Sequence, residues 1–375
     1  MTTILHDLLA QGQSIWMDNL SRTIIQNGEL ADWIGKGVRG ITSNPAIFKN
    51  AIAGNVDYDA GIREALNSSD SINAIYEHLV LKDISDAADL FAPVYESSGG
   101  MDGYISIEVS PKLAHSTAST AAEAQRFFQA LHHPNIMIKI PGTPEGFPAV
   151  TETIAAGIPV NVTLLFSIES YIKTAWAYIE GLERLDAAGG DLSKVASVAS
   201  FFLSRIDSAV DKLLDAKIAA GGDPARLEPL KGTIAIANAK LAYQEYLSIF
   251  GSERFQKLAA KGAQPQRLLW ASTSTKNPTY RDTLYVEELI GPTTVNTVPP
   301  ETLVALVDHG VVAATLTQDV DVATAAMVTL REANIDLEAV LDDLQVDGVE
   351  KFVQAFDQLF GALDVKVKQM AAVGV

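Results

Sequence analysis

Lys139 lies inside the apolar run Ile136-Met137-Ile138-Lys139-Ile140-Pro141. A charge in such a strand-like segment costs several kcal/mol, roughly, unless it is paired or loses its proton. Strand alternation puts Ile136, Ile138 and Ile140 on one face and Met137 and Lys139 on the other. The pattern recurs in 104–110, where Ser106, Glu108 and Ser110 oppose Ile105, Ile107 and Val109, and in 160–166, where Asn161 and Thr163 oppose Val162, Leu164 and Phe166. Asp18 closes a further segment on the face opposite Ile15 and Met17. Asp18, Glu108, Lys139, Asn161 and Thr163 are therefore expected to converge from four strands. Desolvation favours the neutral form of an amine, and a neutral amine can attack a ketone to form a Schiff base, whose iminium draws electrons from a neighbouring carbon–carbon bond. That chemistry uses neither metal nor organic cofactor. The bland alternative is a buried Lys139–Glu108 ion pair, with Asp18 and Thr163 as turn or cap residues.

Elements that could hold these residues recur along the chain. Ile- and Val-rich segments at 14–19, 38–44, 103–110, 135–141, 158–166, 195–203, 267–275 and 293–298 read as strands. Amphipathic stretches such as 70–91, 119–131, 167–187 and 205–220 separate them. Strand and helix alternating eight times predict an α/β fold, a closed (β/α)8 TIM barrel with its reactive groups at the C-terminal ends of the strands. The 375 residues carry no linker composition or internal repeat, so a single domain over 1–375 is expected. Helical additions are expected at 205–260, broken by Gly-Gly-Asp-Pro at 221–224, and at 313–370.

Composition restricts the partners. With 28 Lys+Arg against 46 Asp+Glu the net charge is −18, which argues against nucleic-acid binding and against acidic membrane surfaces. No run approaches the ~18 apolar residues of a membrane span, and the N-terminus lacks the pattern of a secretory signal, so a cytoplasmic location is expected. The absence of cysteine excludes disulfides and thiolate chemistry, and the 6 histidines form no HExxH pattern, so no metal is expected. There is no GxGxxG or GxxxxGKS motif, and Gly142-Thr143-Pro144-Glu145-Gly146 reads as a turn opening a helix. An anionic substrate would need a local basic site. Arg205 after the sixth strand, with Ser274 and Lys276 after the seventh, are candidates, because barrels often bind phosphate at their late strands. Taken alone, Arg205 reads more readily as a solvated helix charge. Monomer and homodimer both remain open.

Gly40-Ile41-Thr42-Ser43-Asn44-Pro45-Ala46-Ile47-Phe48 resembles the first transaldolase signature, and Ile136 through Gly146 resembles the segment holding the Schiff-base lysine of that family. Asp18, Ser106 to Val109, Asn161 to Ser167, Ser200 to Phe202, Arg205 and Ser274 extend the resemblance from the first strand to the seventh. It implies transfer of a dihydroxyacetone unit from sedoheptulose 7-phosphate or fructose 6-phosphate to glyceraldehyde 3-phosphate or erythrose 4-phosphate, in the pentose phosphate pathway. It further implies that Lys139 forms the Schiff base and that Glu108, through a water and Thr163, shuttles protons. By the same resemblance Asp18 serves the C4 hydroxyl, Asn44 and Asn161 hold hydroxyls, Ser200 and Phe202 line the pocket, and Arg205, Ser274 and Lys276 hold phosphate.

Two departures stand out. The position of Lys276 is an arginine in the best-known members, so a point charge replaces a bidentate fork, and the 205–260 and C-terminal regions exceed the shorter members. One rival reading is a free aldolase resembling the fructose-6-phosphate aldolases, which carry tyrosine at the position of Phe202 and glutamine at that of Glu108; both differences favour transfer. The other is a barrel that only binds sugar phosphate. Borohydride reduction in the presence of fructose 6-phosphate should leave an adduct on the Lys139 peptide, and an unmodified peptide would favour the binding protein.

Overall fold

The computed structural model describes residues 3–372. Eight parallel strands close a barrel in chain order: β1 Gln13–Met17, β2 Ile41–Thr42, β3 Ile105–Glu108, β4 Ile136–Pro141, β5 Val160–Leu165, β6 Ser197–Phe202, β7 Arg267–Ala271 and β8 Thr294–Val298. β8 returns to β1, with Gln13 to Met17 paired against Thr294 to Val298. All eight expected segments become strands, mostly shorter than expected, and β2 is reduced to two residues. The trimming leaves Asp18, Asn44 and Ser274 beyond strand ends, in the loops of the C-terminal mouth, where Lys276 also lies, while Arg205 is in the first turn of the helix Ser204–Ala219.

Every residue of β4 is buried, as expected where helices cover the outer face and side chains fill the inner one. The outer layer is aromatic where β6 meets β7: Phe201 and Trp270 are register partners, and their rings meet edge-on with centroids 6.2 Å apart. The turn after β4 closes tightly because residue 146 is glycine, since a Cβ there would collide with the carbonyl oxygen of Pro141. The helix Gly146–Ala155 then begins, as the sequence indicated.

One expected alternation fails. In β5 the register slips between Val162 and Leu165, and Leu164 adopts a left-handed φ of 61°. A bulge inserts one extra residue and resets which face follows. Leu164 and Phe166 therefore do not continue the face of Val162. Phe166 packs instead beside Phe202, with ring centroids 5.2 Å apart.

The 205–260 region folds as helices Ser204–Ala219, Pro224–Leu227, Ile234–Phe250 and Glu253–Ala259, with the break where the Gly-Gly-Asp-Pro sequence put it. The C-terminal region becomes helical only at Val320, because the amides of Thr315 and Leu316 both donate to the carbonyl of Ile290 rather than into a helix. Its last helix, Leu337–Ala372, runs 36 residues. Gln345 on this helix donates to the carbonyls of Gly142 (2.6 Å) and Leu164 (3.3 Å), at the ends of β4 and β5. Gly348 allows close approach, since a Cβ would sit 3.0 Å from Leu164 Cδ2. The helix thus lies against the barrel mouth. No described helix is long and apolar enough to cross a membrane.

The opposite, N-terminal end is closed by a buried charge cluster. Asp102, just before β3, accepts from Ser14 Oγ (2.8 Å), Trp16 Nε1 (3.2 Å) and Arg267 (3.0 Å), with Arg39 at 3.4 Å. Burial alone would raise its pKa, but Arg267, Ser14 and Arg39 together hold it below the ordinary carboxylate value. Removing the carboxylate strands a buried guanidinium. Asp102→Ala should lower unfolding stability by about 3–5 kcal/mol in denaturant titration, with the residues of the opposite mouth left in place.

Candidate active site

The C-terminal mouth opens into a pocket of about 230 Å3. Alternate strand residues face inward, and the loops beyond each strand build the rim. Asp18 comes from the end of β1, Asn44 from the loop after β2, Lys139 from β4, Thr163 from β5, Ser200 and Phe202 from β6, Arg205 from the helix after it, and Ser274 and Lys276 from the loop after β7. Nine of the eleven candidate residues therefore border one pocket; Glu108 and Asn161 do not.

Lys139 is 4% exposed and its Nζ donates to the carbonyl of Ser43 at 3.1 Å. Glu108 is its register partner on β3, so amine and carboxylate lie side by side on neighbouring strands. The structural ion pair does not form: Glu108 Oε2 is buried without a hydrogen-bond partner among the described residues. Burial drives the Glu108 pKa up to about 7, against the pull of the Lys139 charge and with a push from Asp18. Thr163 Oγ1, which lines the main pocket, is likewise buried and unpartnered. Glu108 instead lines a second cavity of about 370 Å3.

Asp18 accepts a 2.7 Å hydrogen bond from Thr42 Oγ1, which in turn meets Thr297 Oγ1 at 2.6 Å. Burial raises its pKa, and Glu301 adds to the rise, while Lys139 and Thr42 oppose it. Two carboxyl groups with raised pKa therefore flank one lysine. Asn44 caps the helix Pro45–Ile52 by accepting from the amide of Ile47 at 3.0 Å, which leaves its amide group at the pocket wall. Asn161 is fully buried beneath the pocket, donating to Ser106 Oγ (3.1 Å) and accepting from Ser200 Oγ (2.7 Å). It holds Ser200 from below.

The cationic end is built by Arg205, Ser274 and Lys276. Lys276 Nζ donates to Ser274 Oγ at 2.6 Å. The Arg205 guanidinium lies 5.5 Å from the centre of the Phe202 ring, and one of its nitrogens is buried without a partner. Burial lowers its pKa, opposed by Asp347 on the C-terminal helix. A desolvated guanidinium with an unused donor is suited to an oxyanion. The site can therefore perform covalent catalysis by an amine, with proton transfer on two sides, on a small anionic carbonyl compound.

Residues not singled out from the sequence also border the pocket. Thr42 borders it, and Ser43, which does not, accepts from Lys139 through its carbonyl; both lay within the quoted Gly40–Phe48 segment, but their roles depend on contacts across the barrel. Glu301 sits in the first turn of the Pro-initiated helix Pro300–His309, where an acidic residue reads as an ordinary dipole partner. Phe352 reaches the pocket from the C-terminal helix, and no local pattern marks it. Among the described residues no His, Asp and Glu side chains gather as a metal-ligand set.

Comparison with known proteins agrees with the geometry. A family model described as Transaldolase/Fructose-6-phosphate aldolase matches residues 15–363. The chain is 58% identical over 368 residues to "Transaldolase" of Trichodesmium erythraeum, covering 96% of this chain and 97% of the relative. It is 55% identical to "Transaldolase 2" of Nostoc punctiforme, covering 99% and 100%, and 47% identical to "Transaldolase" of Parafrankia sp., covering 97% and 98%.

The raised pKa of Glu108 has a definite sign in stability. The folded state keeps a proton that the unfolded chain releases near its ordinary carboxylate pKa, so this contribution is present at low pH and is lost as pH rises through about 7. Glu108→Gln should therefore gain about 1–3 kcal/mol relative to the parent protein between roughly pH 5 and pH 8 in paired thermal melts. An unchanged difference would contradict the shift.

Proposed function

The chain belongs to the transaldolase/fructose-6-phosphate aldolase family, and on that premise we propose how its barrel carries out three-carbon transfer through a Schiff base on Lys139. Its activity is that of a transaldolase acting on sugar phosphates. The observation that carries the mechanism is the buried lysine flanked by two carboxyl groups of raised pKa, with a cationic cluster at one end of the same pocket.

In this reading the ketose phosphate enters with its phosphate toward Arg205, Ser274 and Lys276. Lys139, as the neutral amine, attacks C2 to form a carbinolamine. Glu108 donates a proton through a water hydrogen-bonded to Thr163, the C2 oxygen leaves as water, and the iminium forms. A carboxyl group with pKa about 7 holds and releases a proton with comparable ease near neutrality, which suits it to act as acid in this step and base in the reverse. Asp18 then removes the proton of the C4 hydroxyl as the C3–C4 bond breaks. The bond's electron pair passes into the iminium, giving an enamine, and the shortened aldose departs.

The acceptor aldehyde takes its place, the enamine carbon attacks it, and Asp18 returns its proton to the new alkoxide. Water adds to C2, Glu108 takes the proton, and the carbinolamine collapses to the product ketose and free Lys139. Asn44 and Ser200, the latter braced by Asn161, are placed to hold hydroxyls of the three-carbon unit. Glu108 and Phe202 occupy the two positions whose identity favours transfer over release.

Donor alone should give at most a stoichiometric burst of released aldose, with turnover on adding acceptor. Steady production of free dihydroxyacetone from donor alone would show an aldolase instead. Lys139→Met should abolish both the burst and the turnover.

A further inference from the structure

Glu108 and its register partner Lys139 border different cavities. Lys139 and Thr163 border the main pocket, whereas Glu108 borders the second, which opens between the helices Ile72–Ser97 and Thr117–Leu131 under the C-terminal helix. Glu108 is its deeply buried acid, 8% exposed, while Asn73 and Lys112 on its rim are exposed. Tyr76 forms one wall, its ring packed against Phe356 and Phe360 at 5.7 and 5.1 Å between centroids. Burial and then the charges of Glu108 and Glu123 raise the pKa of the Tyr76 hydroxyl, which places this polar group in the field of both carboxylates.

The charges of the two openings differ. The main mouth presents Arg205 and Lys276. The second cavity presents Glu77, Glu108 and Glu123; Arg126 pairs with Glu77 at 2.7 Å and Glu123 at 3.3 Å, and the one lysine, Lys112, is paired with Asp357 at 2.6 Å, so three carboxyl groups face one arginine and no unpaired cation. An acidic wall repels an anionic sugar phosphate but does not exclude water or protons. Imine formation must also discharge a water, and hydrolysis must admit one, while the donor occupies the main pocket.

We propose that the second cavity is the route by which water and protons reach and leave Glu108 while the sugar phosphate fills the main pocket. The proposal rests on the Schiff-base reading above. It divides traffic by charge: anionic substrate through the basic mouth, water and protons through the acidic cavity.

The test uses the full-length protein, fructose 6-phosphate and oxygen-18 water, without acceptor. Each cycle releases the original C2 oxygen as water when the imine forms and installs a solvent oxygen when it hydrolyses, so enzyme-dependent label at C2 counts water exchange with the donor in place. Asn73→Trp and Leu113→Trp narrow the cavity from its rim and do not alter any residue of the main pocket. Each should slow the exchange by about tenfold or more, the scale on which impaired proton transfer reads out, while the final extent of borohydride labelling at Lys139 and the donor KM stay at parental values. Both variants exchanging at the parental rate would overturn the route, and so would a loss of exchange matched by an equal loss of labelling. Failure of the parental protein to label at Lys139 would overturn the Schiff-base reading, and the route with it.

Discussion

The site depends on a lysine amine enclosed in a barrel whose inner layer has little water to stabilise a charge. Burial of an ammonium is costly, and the structure meets that cost without a direct ion pair: Lys139 donates to one backbone carbonyl, while Glu108 and Asp18 lie near enough to act on it electrostatically. The same burial pushes both carboxyl groups toward their neutral forms. Two carboxyl groups of raised pKa are thus held beside one buried amine, the kind of perturbation that gathers at functional sites.

Such an arrangement persists only in a rigid frame. The N-terminal end of the barrel supplies part of it through Asp102 and its arginine, serine and tryptophan partners, far from the chemistry. The charges at that end are paired with one another, although Gln13 and Gln266 there each keep a buried oxygen unpaired; toward the mouth the unpaired buried atoms belong to Glu108, Thr163 and Arg205. The C-terminal helix completes the frame from above, where Gln345 ties it to the ends of β4 and β5 and Phe352 contributes to the pocket wall.

Much of this was legible in sequence because strand alternation has a period of two and most strands keep it. The inward placement of Lys139 and Thr163 and the paired positions of Glu108 and Lys139 followed from it. The bulge in β5 was not legible, since nothing in Thr163-Leu164-Leu165 marks Leu164 as left-handed; leucine rarely adopts that conformation, and neighbouring strands impose it. The depth of Asn161 was also hidden. Alternation assigns a face but not a layer, and the layer decides whether a side chain meets substrate or supports a neighbour that does.

By itself the sequence determined the eight-strand order, the inward-facing lysine in an apolar strand and the need for a basic site within an acidic protein if its substrate is anionic, because these rest on local periodicity, residue chemistry and charge. Only the tertiary structure decided that Glu108 opens onto a cavity separate from that of Lys139, that Glu301 and Phe352 border the pocket, and that Arg205 keeps an unpaired donor. Those features arise where segments far apart in the chain meet, and the position of one side chain relative to another across a barrel is set by packing rather than by spacing along the chain.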